Sequence, residues 1–213
     1  MFAGLNDVTV AGRLVAVYPV RTFEGEKSGK FATLMIADND GILRVVLWND
    51  KADMVERGEL KVGQAIRLVH GYTREDRYGK TELHLGSKSQ IEVEPQEKGS
   101  EYPTIGKFVT KIGFLDKMSG NVHLSGTVKA VFGKSTFSRS DSSDGTVMRL
   151  TLKDGSGEVV VVAWNEKAQE LEKTAKVNTR LQLINAKVKE AQNGGLEVHV
   201  DSNTFVDVQA ATL

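Results

Sequence analysis

Apolar and polar residues alternate along most of this chain in short runs, and the period is that of strands. Val8–Tyr18 is the first run, broken by Gly12, which predicts a bulge or bend in a curved strand. Arg21–Lys30 is polar and holds glycine, so it reads as a loop, and Phe31–Asp38 is the second strand. Asn39-Asp40-Gly41 is a turn signal that joins it to Ile42–Trp48 in a hairpin. Asn49-Asp50 has the chemistry to cap a short helix through about Arg57, with Gly58 at its end. Gln64–Arg74 is the fourth strand, Arg77–Lys80 a loop, and Thr81–Val93 a fifth strand kinked near Gly86.

The same order then recurs. Val122–Phe132, a polar loop Ser138–Gly145, Thr146–Lys153, a turn at Asp154–Gly157, and Glu158–Trp164 lead into a helix over about Asn165–Lys173. Thr179–Ala191, a turn at Asn193-Gly194-Gly195, and Leu196–Val208 complete it. The recurrence is visible in residues as well as in pattern. Leu-Arg-Val-Val-Leu-Trp-Asn-Asp-Lys-Ala at 43–52 answers to Val-Val-Val-Val-Ala-Trp-Asn-Glu-Lys-Ala at 159–168, and these hold the chain's 2 tryptophans. Ala11–Tyr18 answers to Ser125–Phe132, and Glu82-Leu83-His84-Leu85 to Glu197-Val198-His199-Val200. Three blocks in one order mean a duplicated domain. Five strands with a helix between the third and fourth is the order of an OB-fold, a small Greek-key barrel. The expected organisation is all-β with short helices: two tandem five-stranded OB-fold barrels at 1–93 and 122–213, joined by a linker at 94–121. That linker holds Ile105, Phe108, Val109, Ile112, Phe114 and Leu115, too many apolar residues for a loose tether. It is expected to pack, with a short helix near Thr104–Thr110.

Composition narrows the function classes. With 0 cysteines there is no disulfide, no thiol nucleophile and no Cys-ligated zinc. No apolar run reaches the length of a membrane span, and the first residues lack the basic and apolar regions of a signal peptide. A reducing cytoplasmic compartment is expected. The 28 basic and 28 acidic residues balance, and they balance within each half, so a polyanion must be met by local patches. No Ser-His-Asp set, paired acidic motif or phosphate-cradling glycine loop is present, which argues against an enzyme. His84 and His199 repeat but have no second ligand at metal spacing. Each is expected as a polar contact on the surface or in a groove, and no metal or cofactor is implied.

Several of these segments together resemble the archaeal replication protein A family: Val8–Leu14, Arg21-Thr22-Phe23, Ile36-Ala37-Asp38, Leu43–Ala52 and Gly79–Gly86, with Lys111–Leu115 leading into Val122–Gly126. The resemblance covers nearly the whole chain and is stronger in the first half. Many relatives carry a Cys-rich zinc module, which this chain lacks, so it is expected as a zinc-free member, a partial chain or one subunit of a complex. The resemblance implies tandem OB-folds that bind single-stranded DNA in replication, repair and recombination, with other replication protein A subunits or repair proteins as further partners.

Such barrels stack bases on aromatic rings while Lys and Arg track the backbone. Trp48 shares a face with Arg44 and Val46, because strand side chains alternate. Its two open roles are stacking and core packing, and the resemblance favours stacking. Trp164 repeats the position beside Glu158, Val160 and Val162, an acidic and less inviting face. The resemblance places a second stacker at Tyr78, flanked by Arg77 and Lys80; the matching residue in the second half is Asn193. Phe23 and Phe137 either stack or plug a barrel end, and the plug is favoured. Arg21, Lys27, Lys30 and Arg74 in the first half, and Lys134, Arg139, Arg149, Lys187 and Lys189 in the second, are candidate phosphate contacts. RNA binding and a protein-interaction scaffold remain as rival readings.

Overall fold

A computed structural model describes residues 1–25, 28–93, 100–138 and 143–210. Lys27 and Arg139 lie outside them. The chain divides into two units, residues 1–107 and 108–213.

The first unit comprises β1 (Val8–Val17), β2 (Arg21–Phe23), β3 (Gly29–Ala37), β4 (Ile42–Trp48), α1 (Asp53–Glu56), β5 (Ala65–Glu75), β6 (Thr81–Leu85) and β7 (Gln90–Val93). Five strands close on themselves. β1 pairs with β3, β3 with β4, β4 with β6 in parallel, β6 with β5, and β5 returns to β1. Closure leaves no unpaired edge within the ring. Inward residues at every second position (Leu14, Leu34, Leu47, Ile66, Leu68, Leu83) are fully buried and fill the interior.

The second unit repeats the ring with β8 (Asn121–Ser138), β9 (Asp144–Lys153), β10 (Glu158–Trp164), α2 (Glu166–Thr174), β11 (Arg180–Glu190), β12 (Leu196–Val200) and β13 (Phe205–Gln209). Its parallel pair is β10 with β12, and β8 meets both β9 and β11. Leu124, Leu150, Leu152, Leu181 and Leu183 lie in its core, with Ala168 and Leu171 of α2 packed onto them. Ile112 also joins this core. Its N–H donates to Asp154 Oδ2 at 2.9 Å, and it opens a 3₁₀ turn, Ile112–Phe114. The expected helix near Thr104–Thr110 is a 3₁₀ turn at Ile105–Phe108.

The first strand of each barrel bonds to neighbours on both sides, and this explains its glycine. A Cβ on Gly12 would stand 2.7 Å from the Ala37 carbonyl oxygen, and one on Gly126 would stand 2.6 Å from that of Lys153. The register shifts of β1 fall elsewhere, between Val8 and Val10 and between Leu14 and Ala16. Gly12 therefore allows a close backbone approach rather than forming the bulge expected of it.

Four other expectations are corrected. Arg21–Lys30 is not all loop: β2 pairs with β3, Arg21 opposite Phe31 and Phe23 opposite Gly29. The polar segment after Phe132 likewise extends β8 to Ser138. Thr81–Val93 and Leu196–Val208 each break into two strands, because the barrel strand must end before its tail crosses to pair with β5 or β11. Finally, Asn49 does not cap a helix. It takes a left-handed conformation (φ 48°), and its side-chain oxygen accepts the Lys30 N–H at 3.1 Å. Asn165 does the same (φ 51°) with the Thr146 N–H at 3.3 Å. The repeated Trp-Asn pair thus turns the chain out of the barrel and pins it to the neighbouring strand. Gly58 does end α1 as expected, at φ 69°.

Replacing Gly12 with Ala should cost about 1–3 kcal/mol, since the new methyl meets backbone rather than a movable side chain. Gly41→Ala, with nothing within 4 Å of the new carbon, is the control. Urea midpoints check this; equal midpoints for the two variants would refute the close-approach role.

Candidate nucleic-acid interface

The outward-facing residues of the first barrel build an aromatic surface. Trp48 ends β4 facing out, half-buried and not part of the core, so the core-packing role is set aside. Its indole N–H donates to His84 Nδ1 at 3.0 Å. That N–H lies in the indole plane and the accepting lone pair lies in the imidazole plane. With the two planes 15° apart and the centroids 5.9 Å apart, the rings sit side by side as one platform. Tyr72 stacks against His84 with centroids 5.4 Å apart at 25°, and the Arg74 guanidinium lies 5.0 Å over the Tyr72 ring. Phe23 and Phe31 stand against Trp48 at 5.8 and 5.7 Å, Phe23 edge-on. Phe23 is therefore a wall of the platform and not a plug. Its ring lies over Gly29, where a Cβ would come within 2.6 Å.

Strand register explains the assembly. Thr33, Val46, His84 and Tyr72 are successive cross-strand partners over β3, β4, β6 and β5. Met35, Arg44 and, on the neighbouring pair, Glu82 and Arg74 form the next row. His84 is 7% exposed and Glu82 6%. Of the two settings expected for it, open surface and groove, the first does not hold: the ring makes a polar contact on the outer face but is covered by its neighbours on the sheet. With Nδ1 accepting, the neutral ring carries its proton on Nε2, which faces Glu82 Oε2 at 3.4 Å. Glu82 in turn ion-pairs with Arg44, which also reaches Thr33 Oγ1 at 3.4 Å. Burial alone would raise the Glu82 carboxyl. The His84 Nε2–H facing it and the Arg44 charge more than offset it and hold the group below the usual carboxylate range. Arg44 therefore lies in the row beside the platform, tied to a buried carboxylate.

Of the other candidates, Arg21 sits opposite Phe31, itself opposite Trp48, so it extends that row. Lys30 is occupied by Asp53 and Glu56 of α1. Tyr78, Arg77 and Lys80 lie in the turn between β5 and β6, the hairpin that carries Tyr72 and His84. Asp76 Oδ1 accepts the Tyr78 and Lys80 N–H groups at 2.8 and 2.9 Å, and the exposed Tyr78 ring (69%) is covered only by the Arg77 guanidinium at 5.3 Å.

The second barrel keeps the centre and changes the surroundings. The Trp164 N–H donates to His199 Nδ1 at 3.0 Å, and His199 Nε2 faces Glu197 at 3.3 Å. Phe137 stands edge-on to Trp164 at 5.7 Å, over Gly145, so it too is a wall and not a plug. In place of Thr33 and Tyr72 stand Arg149 and Lys187, the partners of Val162 and His199. Lys189, opposite Glu197, takes the place of Arg74. Burial, then the Lys189 charge, hold the His199 imidazole below its ordinary value against the pull of Glu197. Glu158 is bound by Lys129 at 2.7 Å, which removes much of the acidic character read from sequence. Lys134 is engaged by Glu172 of α2 at 2.5 Å. Among the described residues, no group of three or more His, Cys, Asp or Glu is placed to hold a metal ion. Among the described residues, no helix is long and apolar enough to cross a membrane.

Because the folded Glu82 binds its proton less readily than the unfolded chain does, its contribution to stability is complete above about pH 4.5 and is lost as the pH falls through the folded value. Glu82→Gln should therefore lower stability at neutral pH and flatten the acid limb of the stability profile. Urea midpoints measured from about pH 3 to 7 test this; parallel profiles would contradict it.

A profile of the OB-fold nucleic acid binding domain matches residues 8–93 and 122–206. The chain is 32% identical over 162 residues to a replication factor A of Methanothermobacter thermautotrophicus, which is 76% of this chain and 20% of that protein. It thus spans about one fifth of that curated relative's length. Among solved structures, a replication protein A heterotrimer bound to ssDNA is similar with a TM-score of 0.69 and 16% identity, over 100% of this chain and 51% of that one. The Ifi202 HINa domain in complex with 20 bp dsDNA is similar with a TM-score of 0.52 and 15% identity, over 96% and 97%. At these identities the structural likeness speaks for the fold. With two matches that cover most of its length, the chain belongs to the OB-fold nucleic acid binding domain family, and it is similar in sequence to archaeal replication factor A.

Proposed function

We propose that the chain binds single-stranded DNA with little sequence preference, by stacking bases on the Trp48–His84–Tyr72 platform. The platform is the observation that carries this reading: an outward aromatic cluster in which Trp48 and Tyr72 pack about the covered His84, walled by Phe23 and Phe31 and flanked by Arg21 and Arg74. Every base offers a π-face, so such a surface suits any sequence, at about 1–3 kcal/mol per stacked base. A duplex keeps its bases in their own stack and offers only its backbone. The sequence likeness to a replication factor A supports single-stranded DNA over RNA as the ligand and a role in replication, and repair and recombination are proposed with it. Tyr78, Arg77 and Lys80 extend the contact along the strand from the β5–β6 turn. Two linked barrels raise the avidity of either alone through effective concentration.

The test is tryptophan fluorescence during titration with oligo-dT, with duplex DNA and an RNA oligomer of equal length as competitors. Placing the titration in a Trp164→Phe background isolates the Trp48 signal. Quenching by the single strand is expected. Trp48→Ala should weaken binding at least tenfold, about 1.4 kcal/mol. A folded Trp48→Ala protein with unchanged affinity refutes stacking at this site, and a preference for RNA overturns the choice of ligand.

A further inference from the structure

The two outer faces differ at equivalent lattice positions, and the difference is chemical. Around the Trp-His centre the first barrel places Thr33 and Tyr72; of the cations in its adjoining row, Arg44 is tied to a buried carboxylate and Arg74 lies over the Tyr72 ring. Around the same centre the second barrel places Arg149, Lys187 and Lys189. Arg149 and Lys187 are the two ends of one cross-strand row, Arg149–Val162–His199–Lys187, and Lys189 lies in the adjoining row. We infer that the second barrel is a phosphate-binding face, which holds the backbone of the strand whose bases the first barrel stacks. This rests on the single-strand reading above and assigns each barrel a different part of that ligand.

Three observations support the assignment. Arg149 and Lys189 are exposed, and among the described residues neither forms an ion pair. Lys187 has only Asp201, at 3.7 Å, a long exposed pair that a phosphate oxygen can replace. The charges of Lys189 and Arg149 both reach His199 and, after burial, help hold its imidazole below its ordinary value, which places these two cations beside the centre of this face. The aromatic surface is meanwhile cut back. The partner of His199 is Lys187 where His84 has Tyr72, and Val147 stands opposite Trp164 where Phe31 stands opposite Trp48. Aromatic surface thus gives way to cations placed directly beside the centre.

The test uses the full chain and two probes of equal length, oligo-dT and an abasic deoxyribose-phosphate oligomer that keeps the phosphates and lacks bases. Affinities are measured over a range of KCl concentrations. Arg149→Ala/Lys187→Ala/Lys189→Ala should weaken both probes by similar factors and reduce the log–log salt slope by about 2, at about 0.7 per lost phosphate contact. Trp48→Ala/Tyr72→Ala should weaken oligo-dT binding at least tenfold, leave abasic binding within twofold and leave the slope unchanged. A triple variant with the wild-type salt slope overturns the proposal. So does a Trp164→Ala variant that loses as much dT affinity as Trp48→Ala while its abasic binding is untouched. If the wild-type chain binds neither probe, the single-strand reading itself fails, an outcome distinct from the other two.

Discussion

The parallel ladder between the third and fifth strands of each barrel sets everything on its outer face. In the first barrel it aligns Val45 with Leu83 and Val46 with His84; in the second it aligns Val161 with Val198 and Val162 with His199. Parallel pairing needs a long crossover, and the intervening helix and fourth strand supply it. The inward positions of the two strands then meet in the core, and the outward positions bring a histidine beside the tryptophan that ends the neighbouring strand. One hydrogen bond, indole N–H to Nδ1, fixes the angle of both rings. Without that register the rings would be two separate surface side chains.

Around this shared centre the two barrels have diverged at single positions while the strand pairings stay the same. Tyr72 against Lys187, Thr33 against Arg149 and Arg74 against Lys189 are exchanges at solvent-facing lattice points, where a side chain is not constrained by core volume. The core does not share this freedom. Both interiors are filled by Leu, Val and Ile at alternate positions, and both first strands need glycine where a backbone carbonyl approaches. Duplication thus preserved the scaffold and left the faces free to take up different parts of one ligand.

Net charge is a poor guide here because the cations are sorted by geometry. Arg44, Lys30, Lys129 and Lys134 are each held by a carboxylate of their own unit. Arg149 and Lys189 are not so held among the described residues. A balanced composition therefore coexists with a local positive face, and a polyanion meets a patch rather than a field.

Sequence by itself determined the duplication, the barrel and its strand order. Those follow from local pattern: alternating apolar residues, turn residues between them, and one block printed twice. It also picked out Trp48 and Trp164, through the repeat and the family resemblance. It did not reveal Phe31 and Tyr72, it gave His84 a polar contact without naming the partner, and it favoured the wrong role for Phe23 and Phe137. Phe31 and Tyr72 look like any strand aromatics until pairing shows which residues lie beside Trp48 and His84. The repeat of Glu-x-His after each Trp-Asn block was the available signal for the histidines; without register it had no partner to act on. Only the tertiary structure decided which outward residues become neighbours across strands, and so which cations are free and which rings form a platform. Periodicity along a strand says which face a side chain takes, whereas adjacency on that face is a property of pairings between residues tens of positions apart.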